Sequence, residues 1–180
     1  MIIALIVIVV IVIYAIAAYN SLVGKRNKVK NSWSEIDVQL KRRFDLIPNL
    51  VETVKGYAAH ERQTLEAVTA ARTKFMSAST PEEMMKANTE LSHLLSRLFA
   101  VAEAYPDLKA NTSFVELQNE LSKTEDKITF SRQFYNDVVM EYNNAVQMFP
   151  TSIIAGIFGF KQEAYFQIDE DEKQTPQVKF

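Results

Sequence analysis

The chain contains 180 residues with a formal net charge of −2, which argues against a broadly basic nucleic-acid-binding face. It contains no cysteine, so disulfides, thiolate metal sites, a cysteine nucleophile and a lipid-modified N-terminal cysteine are excluded. Four glycines and five prolines are few for this length and favour long helices over a sheet.

The N-terminal residues form an uncharged apolar run from Met1 to Tyr19. At a rise of about 1.5 Å per residue, a helix of this length measures roughly 28 Å, close to the hydrocarbon thickness of a bilayer. We therefore predict a transmembrane anchor over residues 1–22. A cleaved signal peptide is the alternative, with Ala15 to Ala18 as a candidate cleavage site, although no Lys or Arg precedes the run.

Four cations follow the anchor, namely Lys25, Arg26, Lys28 and Lys30, and no acidic residue appears before Glu35. The positive-inside tendency predicts an outside N-terminus, with the rest of the chain on the cytoplasmic side of the cell membrane. The same four cations are candidate contacts for anionic headgroups. The alternative is that they form a solvated helical surface.

The next apolar stripe, from Val29 to Ile47, repeats at helical spacing, and Arg43 is expected at its border. Pro48 lacks an N–H donor and Asp45 is a suitable N-cap, so we predict a tight helix–helix turn at Asp45–Asn49. A turn there would place Trp33 opposite residues 58–65.

Three further helices are expected from apolar stripes at helical spacing. The stripe of the second bundle helix is Leu50, Val51, Val54, Tyr57, Ala58, Leu65, Val68, Ala71 and Phe75. The stripe of the third is Met84, Asn88, Leu91, Leu95, Leu98, Ala102 and Tyr105. The stripe of the fourth is Phe114, Leu117, Leu121, Thr124, Ile128, Ser131, Tyr135, Val138, Tyr142, Ala145 and Phe149. One ends near Phe75, and the next begins at Ser79 to Glu83, where a hydroxyl, Pro81 and two acids form a helix start. The last should begin near residues 111–113 and end before Pro150. The predicted fold class is all-α: an N-terminal transmembrane helix followed by an antiparallel up-and-down four-helix bundle over residues 23–149.

No motif for catalysis is present in the sequence. Glu90 and His93 match a Glu-x-x-His pair once, whereas a carboxylate di-metal bundle needs two such pairs, and His60 stands alone. Glu61 falls on an apolar stripe and is expected to pair with a nearby arginine. We therefore predict no catalytic residue, no metal, no cofactor and no small-molecule substrate, hence a protein that is not an enzyme.

Residues 150–180 differ in composition from the helices. A short apolar segment contains Ile153, Ile154, Ile157, Phe158 and Phe160, which we treat as a candidate interaction surface. It is too short to span a bilayer, and an up-and-down topology would place Ile154 near residues 20–25, close to the headgroups. Covering the bundle core and contacting a second copy are alternatives. The acidic run Asp169 to Glu172 is expected to be a solvated tail.

Several stretches resemble the LemA family of bacterial membrane-anchored proteins. They are Tyr19 to Val23, Arg26-Asn27, Trp33 to Arg43, Asp45 to Tyr57, Ala71-Arg72, Tyr142 to Asn144, Phe149-Pro150, Ile154-Ala155 and Gly159-Phe160. The resemblance implies an N-terminal membrane helix, an all-helical bundle and a cytoplasmic body. Some relatives look like lipoproteins, from which the absence of cysteine here departs. No catalytic residue is carried over.

These observations predict a membrane-anchored interaction or scaffold protein that contacts the lipid bilayer and self-associates, or binds another membrane protein, without binding nucleic acid. The alternative is an adaptor or regulator of another membrane protein, such as an envelope protease, which the resemblance suggests. An enzyme is the third class.

Overall fold

The computed structural model describes residues 1–58 and 60–166, so the acidic run Asp169 to Glu172 lies outside the described residues. The helices of the described residues are α1 (Ile2–Lys55), α2 (Arg62–Ser77), α3 (Pro81–Ala102), α4 (Pro106–Lys109), α5 (Thr112–Gln147) and α6 (Thr151–Phe158). The predicted all-helical class is confirmed for this part of the chain, which contains no strand.

The chain divides into two compact units. The first unit comprises Met1–Glu35 with Phe130–Phe180, and the second comprises Ile36–Thr129. Helices α1 and α5 each contribute residues to both units.

The predicted turn at Asp45–Asn49 is wrong, because α1 continues through Pro48 to Lys55. A proline inside a helix leaves the carbonyl four residues earlier without its usual N–H donor. That carbonyl belongs to Phe44, and it accepts a hydrogen bond from Arg72 Nε of α2 at 3.3 Å. The Pro48 ring itself is exposed, so it crowds no packed neighbour. A tertiary contact therefore supplies the donor that the local sequence lacks.

The chain instead leaves α1 at Gly56 and enters α2 at Arg62. The backbone N–H groups of Tyr57 and Ala58 both bond to the Val54 carbonyl, which closes the end of α1. The predicted position of Trp33 is also wrong. Its indole is half-buried and contacts the rings of Tyr135 and Phe166, at centroid distances of 6.1 and 6.4 Å.

The predicted start of α3 is confirmed. Thr80 is the N-cap, and its hydroxyl accepts from the Glu83 N–H at 3.2 Å, while the Glu83 carboxylate accepts from the Thr80 N–H. Pro81 occupies the first turn, where a missing N–H has no consequence. The N–H groups of Ser79 and Thr80 lower the pKa of Glu83, because they stabilise its charged form.

The core of the second unit joins α1, α2, α3 and α5. Its centre is a stacked pair of rings, Phe44 and Phe75, with centroids 4.0 Å apart. The predicted stripes of α2 and α3 are largely the buried ones: Leu65, Val68, Ala71 and Phe75 on α2, and Asn88, Leu91, Leu95, Leu98 and Ala102 on α3. The start of α5 is as expected, since the Asn111 side chain accepts from the Phe114 N–H at 3.0 Å.

One arginine is buried in the second unit. Arg43 is 3 % exposed and donates to Asn88, to Ser92 Oγ at 3.0 Å and to the Glu125 carboxylate. Burial lowers the pKa of Arg43, and the Glu125 charge opposes that shift. We expected Arg43 only at the border of the stripe. Its long side chain instead crosses the core to reach an anion on α5.

The core of the first unit consists of α1, α5 and α6 together with the residues that follow α6. Tyr142 is fully buried at its centre. The remaining buried members are Ala18, Leu22, Val29, Val138, Val139, Ile154, Ala155 and Phe160.

Candidate functional site

The apolar run of α1 is exposed from Ile2 to Ile13. From Ile2 to Ile13, nearly all the large side chains expose about half or more of their surface, although they are apolar. This stretch is long and apolar enough to cross a membrane, which makes α1 a candidate membrane span. Within the described residues, nothing covers the side chains from Ile2 to Ile13.

Helix α6 packs against the last turns of this run. The hydroxyls of Tyr14 and Thr151 lie 3.4 Å apart, and the rings of Tyr19 and Phe158 are 4.8 Å apart between centroids. Ile154 belongs to the same buried cluster as Leu22, which is the position that we predicted for it. Helix α6 therefore lies at the level of residues 14–22 of α1.

The five residues of the candidate interaction surface divide into two groups. Ile154 and Phe160 are 9 % and 7 % exposed and form part of the core, so the prediction of a surface position is wrong for these two. The others remain on the surface: Ile153 is 54 %, Ile157 70 % and Phe158 57 % exposed. Phe149, just before α6, is 81 % exposed and adds to this apolar face.

The four predicted headgroup cations also differ in their surroundings. Lys25 forms an ion pair with Glu141 of α5, and this hydrogen bond lowers the pKa of the Glu141 carboxyl. Arg26 is half-buried, with its guanidinium 5.1 Å from the centroid of the Phe160 ring. Lys28 and Lys30 are exposed. Two of the four thus hold the first unit together, and two face outward.

Beyond α6, the chain runs along α5 without forming a helix. The Asn143 side chain bonds to both backbone groups of Glu163, donating to its carbonyl and accepting from its N–H, each at 2.9 Å. Asn136 makes the same pair of bonds to Phe166, at 3.1 and 2.7 Å. We call residues 160–166 the C-terminal segment.

Two tyrosines support the same contact. The Tyr142 hydroxyl donates to the Lys161 carbonyl at 2.9 Å, and the Tyr135 hydroxyl donates to the Ala164 carbonyl at 3.3 Å. Burial raises the pKa of the Tyr142 phenol above its ordinary value, so it remains a neutral donor throughout the neutral pH range.

Sequence reasoning missed this arrangement, although a signal was present. The dipeptide Tyr-Asn occurs at 135–136 and again at 142–143, seven residues later on α5. Seven residues are close to two helical turns, so both pairs lie on one face of α5. We interpreted these tyrosines as part of an apolar stripe and overlooked the asparagines beside them.

The polar residues considered for chemistry are dispersed. His60 and His93 are exposed, and Glu90 pairs with Lys74 at 2.8 Å. Glu61 accepts a hydrogen bond from the Tyr105 hydroxyl at 3.4 Å, whereas Arg62 pairs with Glu66. Within residues 1–58 and 60–166, no three His, Asp or Glu side chains converge on a position that could hold a metal ion.

The fold and this site define an all-helical protein with a candidate membrane span at its N-terminus. The chain belongs to the LemA family, whose sequence model matches residues 32–180. The match begins after the apolar run, so it rests on the remainder of α1 and on the helices that follow.

Curated relatives carry two kinds of name. Protein LemA of Metamycoplasma hominis is 27 % identical over 158 residues, covering 86 % of this chain and 71 % of that protein. Magnetosome protein MamQ 2 of Paramagnetospirillum magneticum is 27 % identical over 175 residues, covering 83 % and 64 %. Magnetosome protein MamQ of Magnetospirillum gryphiswaldense is 26 % identical over 174 residues, covering 82 % and 64 %. The chain thus spans just under two thirds of the length of the MamQ proteins.

Proposed function

We propose that this chain is a membrane-anchored, non-enzymatic interaction protein that scaffolds and self-associates at the cytoplasmic face of the cell membrane. The observation that carries this proposal is the apolar surface of the first unit. The exposed run of α1 and the exposed side chains of α6 are adjacent, and both require an apolar surrounding.

The bilayer is the partner proposed for this surface. Tyr14 and Tyr19 contact α6, and tyrosines are enriched where a helix passes from hydrocarbon to water. At that level, Ile153, Ile157 and Phe158 would enter the boundary between headgroups and acyl chains, as the apolar face of an interfacial helix does. The chain would thus cross the membrane once with α1 and lie in its surface with α6.

Orientation follows from charge in this proposal. Lys28 and Lys30 are exposed and follow the apolar run in sequence. Cations in such a position next to a membrane span are attracted to anionic lipid headgroups. With the positive side inside, the N-terminus lies outside and the helical body is cytoplasmic. Lys25 and Arg26 contribute charge at the same level, although each already has a partner within the first unit.

We further propose an antiparallel four-helix bundle over residues 23–149, between an anchor at 1–22 and a C-terminal part at 150–180. Contacts in the second unit support the antiparallel sense. On α3 and α5, Ser92 lies within 3.5 Å of Glu125, while Phe99 meets Phe114, so residue numbers rise on one helix as they fall on the other. The same holds for α1 and α5, since Arg42 pairs with Glu120, and Tyr57, just after α1, bonds to Asn111, just before α5.

The relatives support the membrane-protein class. One relative is named LemA and the other is named as a magnetosome protein, and neither name gives a substrate. Affinity capture with this chain as bait distinguishes the two alternatives. Recovery of a single dominant membrane protein, such as a protease, would replace the scaffold proposal by the adaptor alternative. Capture of this chain alone would favour self-association.

The depth of α6 can be measured directly, because the chain has no cysteine of its own. We expect a nitroxide on Ile157→Cys in the liposome-reconstituted full chain to collide more with oxygen than with a water-soluble nickel complex. Oxygen concentrates in hydrocarbon, which the proposed position of α6 enters. Met76→Cys is the matched control, since Met76 is an apolar residue of similar exposure on α2. Equal nickel accessibility at both positions would contradict the interfacial position.

Orientation is tested with a second single-cysteine variant. Ser79 is exposed between α2 and α3, so Ser79→Cys should react freely wherever the reagent can reach it. In intact cells, we expect a membrane-impermeant maleimide to leave this cysteine unlabelled, and disruption of the cells to restore labelling. Labelling before disruption would reverse the proposed orientation.

A further inference from the structure

The C-terminal segment is bound through its backbone. Each of Asn136 and Asn143 uses both amide atoms on both backbone groups of one residue, as a neighbouring strand would do. Such bonds do not depend on the side chains of the bound segment. In peptide recognition by strand addition, main-chain bonds of this kind supply affinity, and side-chain contacts supply specificity.

The spacing of the two asparagines matches an extended peptide. Seven residues of α5 rise by about 10.5 Å, and three residues of extended chain span roughly 10 Å. Asn143 binds Glu163 and Asn136 binds Phe166, three residues later, so the segment runs antiparallel to α5. The tyrosines keep the same register, since Tyr142 binds Lys161 and Tyr135 binds Ala164. Each Tyr-Asn pair thus binds one three-residue unit.

Aromatic side chains anchor both ends of the segment. Phe160 lies under the Arg26 guanidinium, and its ring is 5.7 Å from that of Tyr19. Phe166 lies against the Trp33 indole, with the Arg132 guanidinium 4.6 Å from its ring centroid. These two anchors lie at the two ends of the seven-residue segment and fix its register on the two Tyr-Asn pairs.

The residues between the anchors do not enter the core. Lys161 to Tyr165 all have exposed side chains, although their backbone is bonded to α5. The segment thus docks on α1 and α5 through its backbone and two rings. The hinge before the C-terminal segment is Gly159, whose φ of 69° is a conformation that glycine adopts without strain.

We propose that this face is an extended-peptide site, and that it exchanges its own C-terminal segment for the same segment of a second copy. This inference rests on the proposed self-association and gives it a mechanism. The occupant is a second copy because the register and the two ring contacts fit this sequence, which each copy carries. Domain swapping, the exchange of an identical element about a short hinge, is a low-cost route to a dimer.

Membrane attachment favours the exchange in this proposal. Copies anchored in one bilayer meet at a high effective concentration and in one orientation, which favours binding of a segment released at Gly159 to the site of a second copy. In the exchanged dimer, the segment makes the same bonds to the second copy that it makes to its own chain in the monomer. The balance is therefore set by the density of copies.

Complementary variants of the full chain in liposomes test the exchange. Glu163→Pro with Phe166→Ala removes a backbone N–H and one ring anchor, which leaves the site intact and the segment defective. Asn136→Ala with Asn143→Ala leaves the segment intact and the site defective. With donor and acceptor dyes on Ser79→Cys, the mixture should associate about tenfold more tightly than either variant alone, because only the mixture combines an intact site with an intact segment.

A synthetic peptide of residues 159–166 provides a second readout. It should bind the segment-defective chain, and the two asparagine substitutions in that background should weaken binding at least about tenfold. Asn144→Ala is the matched control, since Asn144 is an exposed amide next to Asn143 on α5, and it should change nothing. Helical circular dichroism establishes that each variant is folded.

The outcomes separate this inference from the proposed function. Peptide binding without association of the mixture would overturn exchange between copies, and absence of peptide binding would overturn the site itself. Wild-type association that survives both asparagine substitutions would overturn the exchange and leave self-association standing. Wild-type chains that remain monomeric at all densities, with no association of the mixture, would overturn both.

Discussion

Replacing Tyr142 with alanine should lower the free energy of unfolding of the first unit by about 3–5 kcal/mol. The ring is fully buried among residues of α1, α5 and α6, and its removal leaves a large cavity in a small core. The hydroxyl bond to the Lys161 carbonyl is lost as well. Trp33 is the single tryptophan and lies in the first unit, so its fluorescence reports denaturant unfolding of the full chain in detergent.

Tyr142→Phe is the matched control, because it removes the hydroxyl and keeps the ring. We expect a loss of about 1 kcal/mol, the usual contribution of one hydrogen bond. An equal loss for phenylalanine and alanine would contradict the packing argument. A loss below about 1 kcal/mol for alanine would mean that the ring is not a core element of the native protein.

Glu125→Ala should destabilise the second unit by about 2–3 kcal/mol. Arg43 is buried and donates to this carboxylate, so removal of the anion leaves a guanidinium charge without its counterion. Breaking a fully buried pair costs about 3–5 kcal/mol, and we place the value lower here because solvent reaches Glu125. The Glu125 side chain is 36 % exposed. Chemical unfolding followed by helical circular dichroism measures the change.

The companion variant is Arg43→Met, which removes the charge and keeps an apolar stem of similar reach. The double variant with Glu125→Ala should lose less free energy of unfolding than the sum of the two single variants. With Arg43 replaced, removal of the carboxylate no longer leaves a buried charge without a counterion. Full additivity would show that the ion pair contributes nothing. Lys123→Ala is an exposed control on the same helix, and we expect it to change stability by less than about 0.5 kcal/mol.

The exchange proposal and the Tyr142 prediction concern the first unit, whereas the Glu125 prediction concerns the second. Tyr142 joins the C-terminal segment to the core of the first unit, so Tyr142→Ala should also weaken docking of the segment. Arg43 and Glu125 lie in the second unit, so their substitution tests the packing of that unit.

Several features could be predicted from the sequence because they depend on local chemistry. The apolar run of α1, the capping box at Thr80 and the limits of α5 each depend on residues within one or two helical turns. The stripes of α2 and α3 follow from the helical period in the same way. The LemA resemblance added a family, which the match over residues 32–180 confirmed.

The errors arose where a distant residue replaced a local interaction. Pro48 reads locally as a helix end, but the Phe44 carbonyl that it leaves free is satisfied by Arg72, 28 residues away from Phe44 along the chain. Arg43 reads as a border residue, but Glu125 lies on a helix that the sequence does not place beside it. Neither partner can be found from periodicity, because spacing along one helix contains no information about the neighbouring helix.

The sequence by itself determined the all-helical class, the candidate membrane span and the family of this protein. Only the tertiary structure decided that Ile154 and Phe160 are core residues, that Ile153, Ile157 and Phe158 remain exposed, and that Asn136 and Asn143 bind a segment some twenty to thirty residues later. The physical reason is the distance along the chain over which each kind of interaction acts. Hydrophobic periodicity and capping act within a few residues, whereas burial and amide-to-backbone bonds depend on which surfaces the fold brings together.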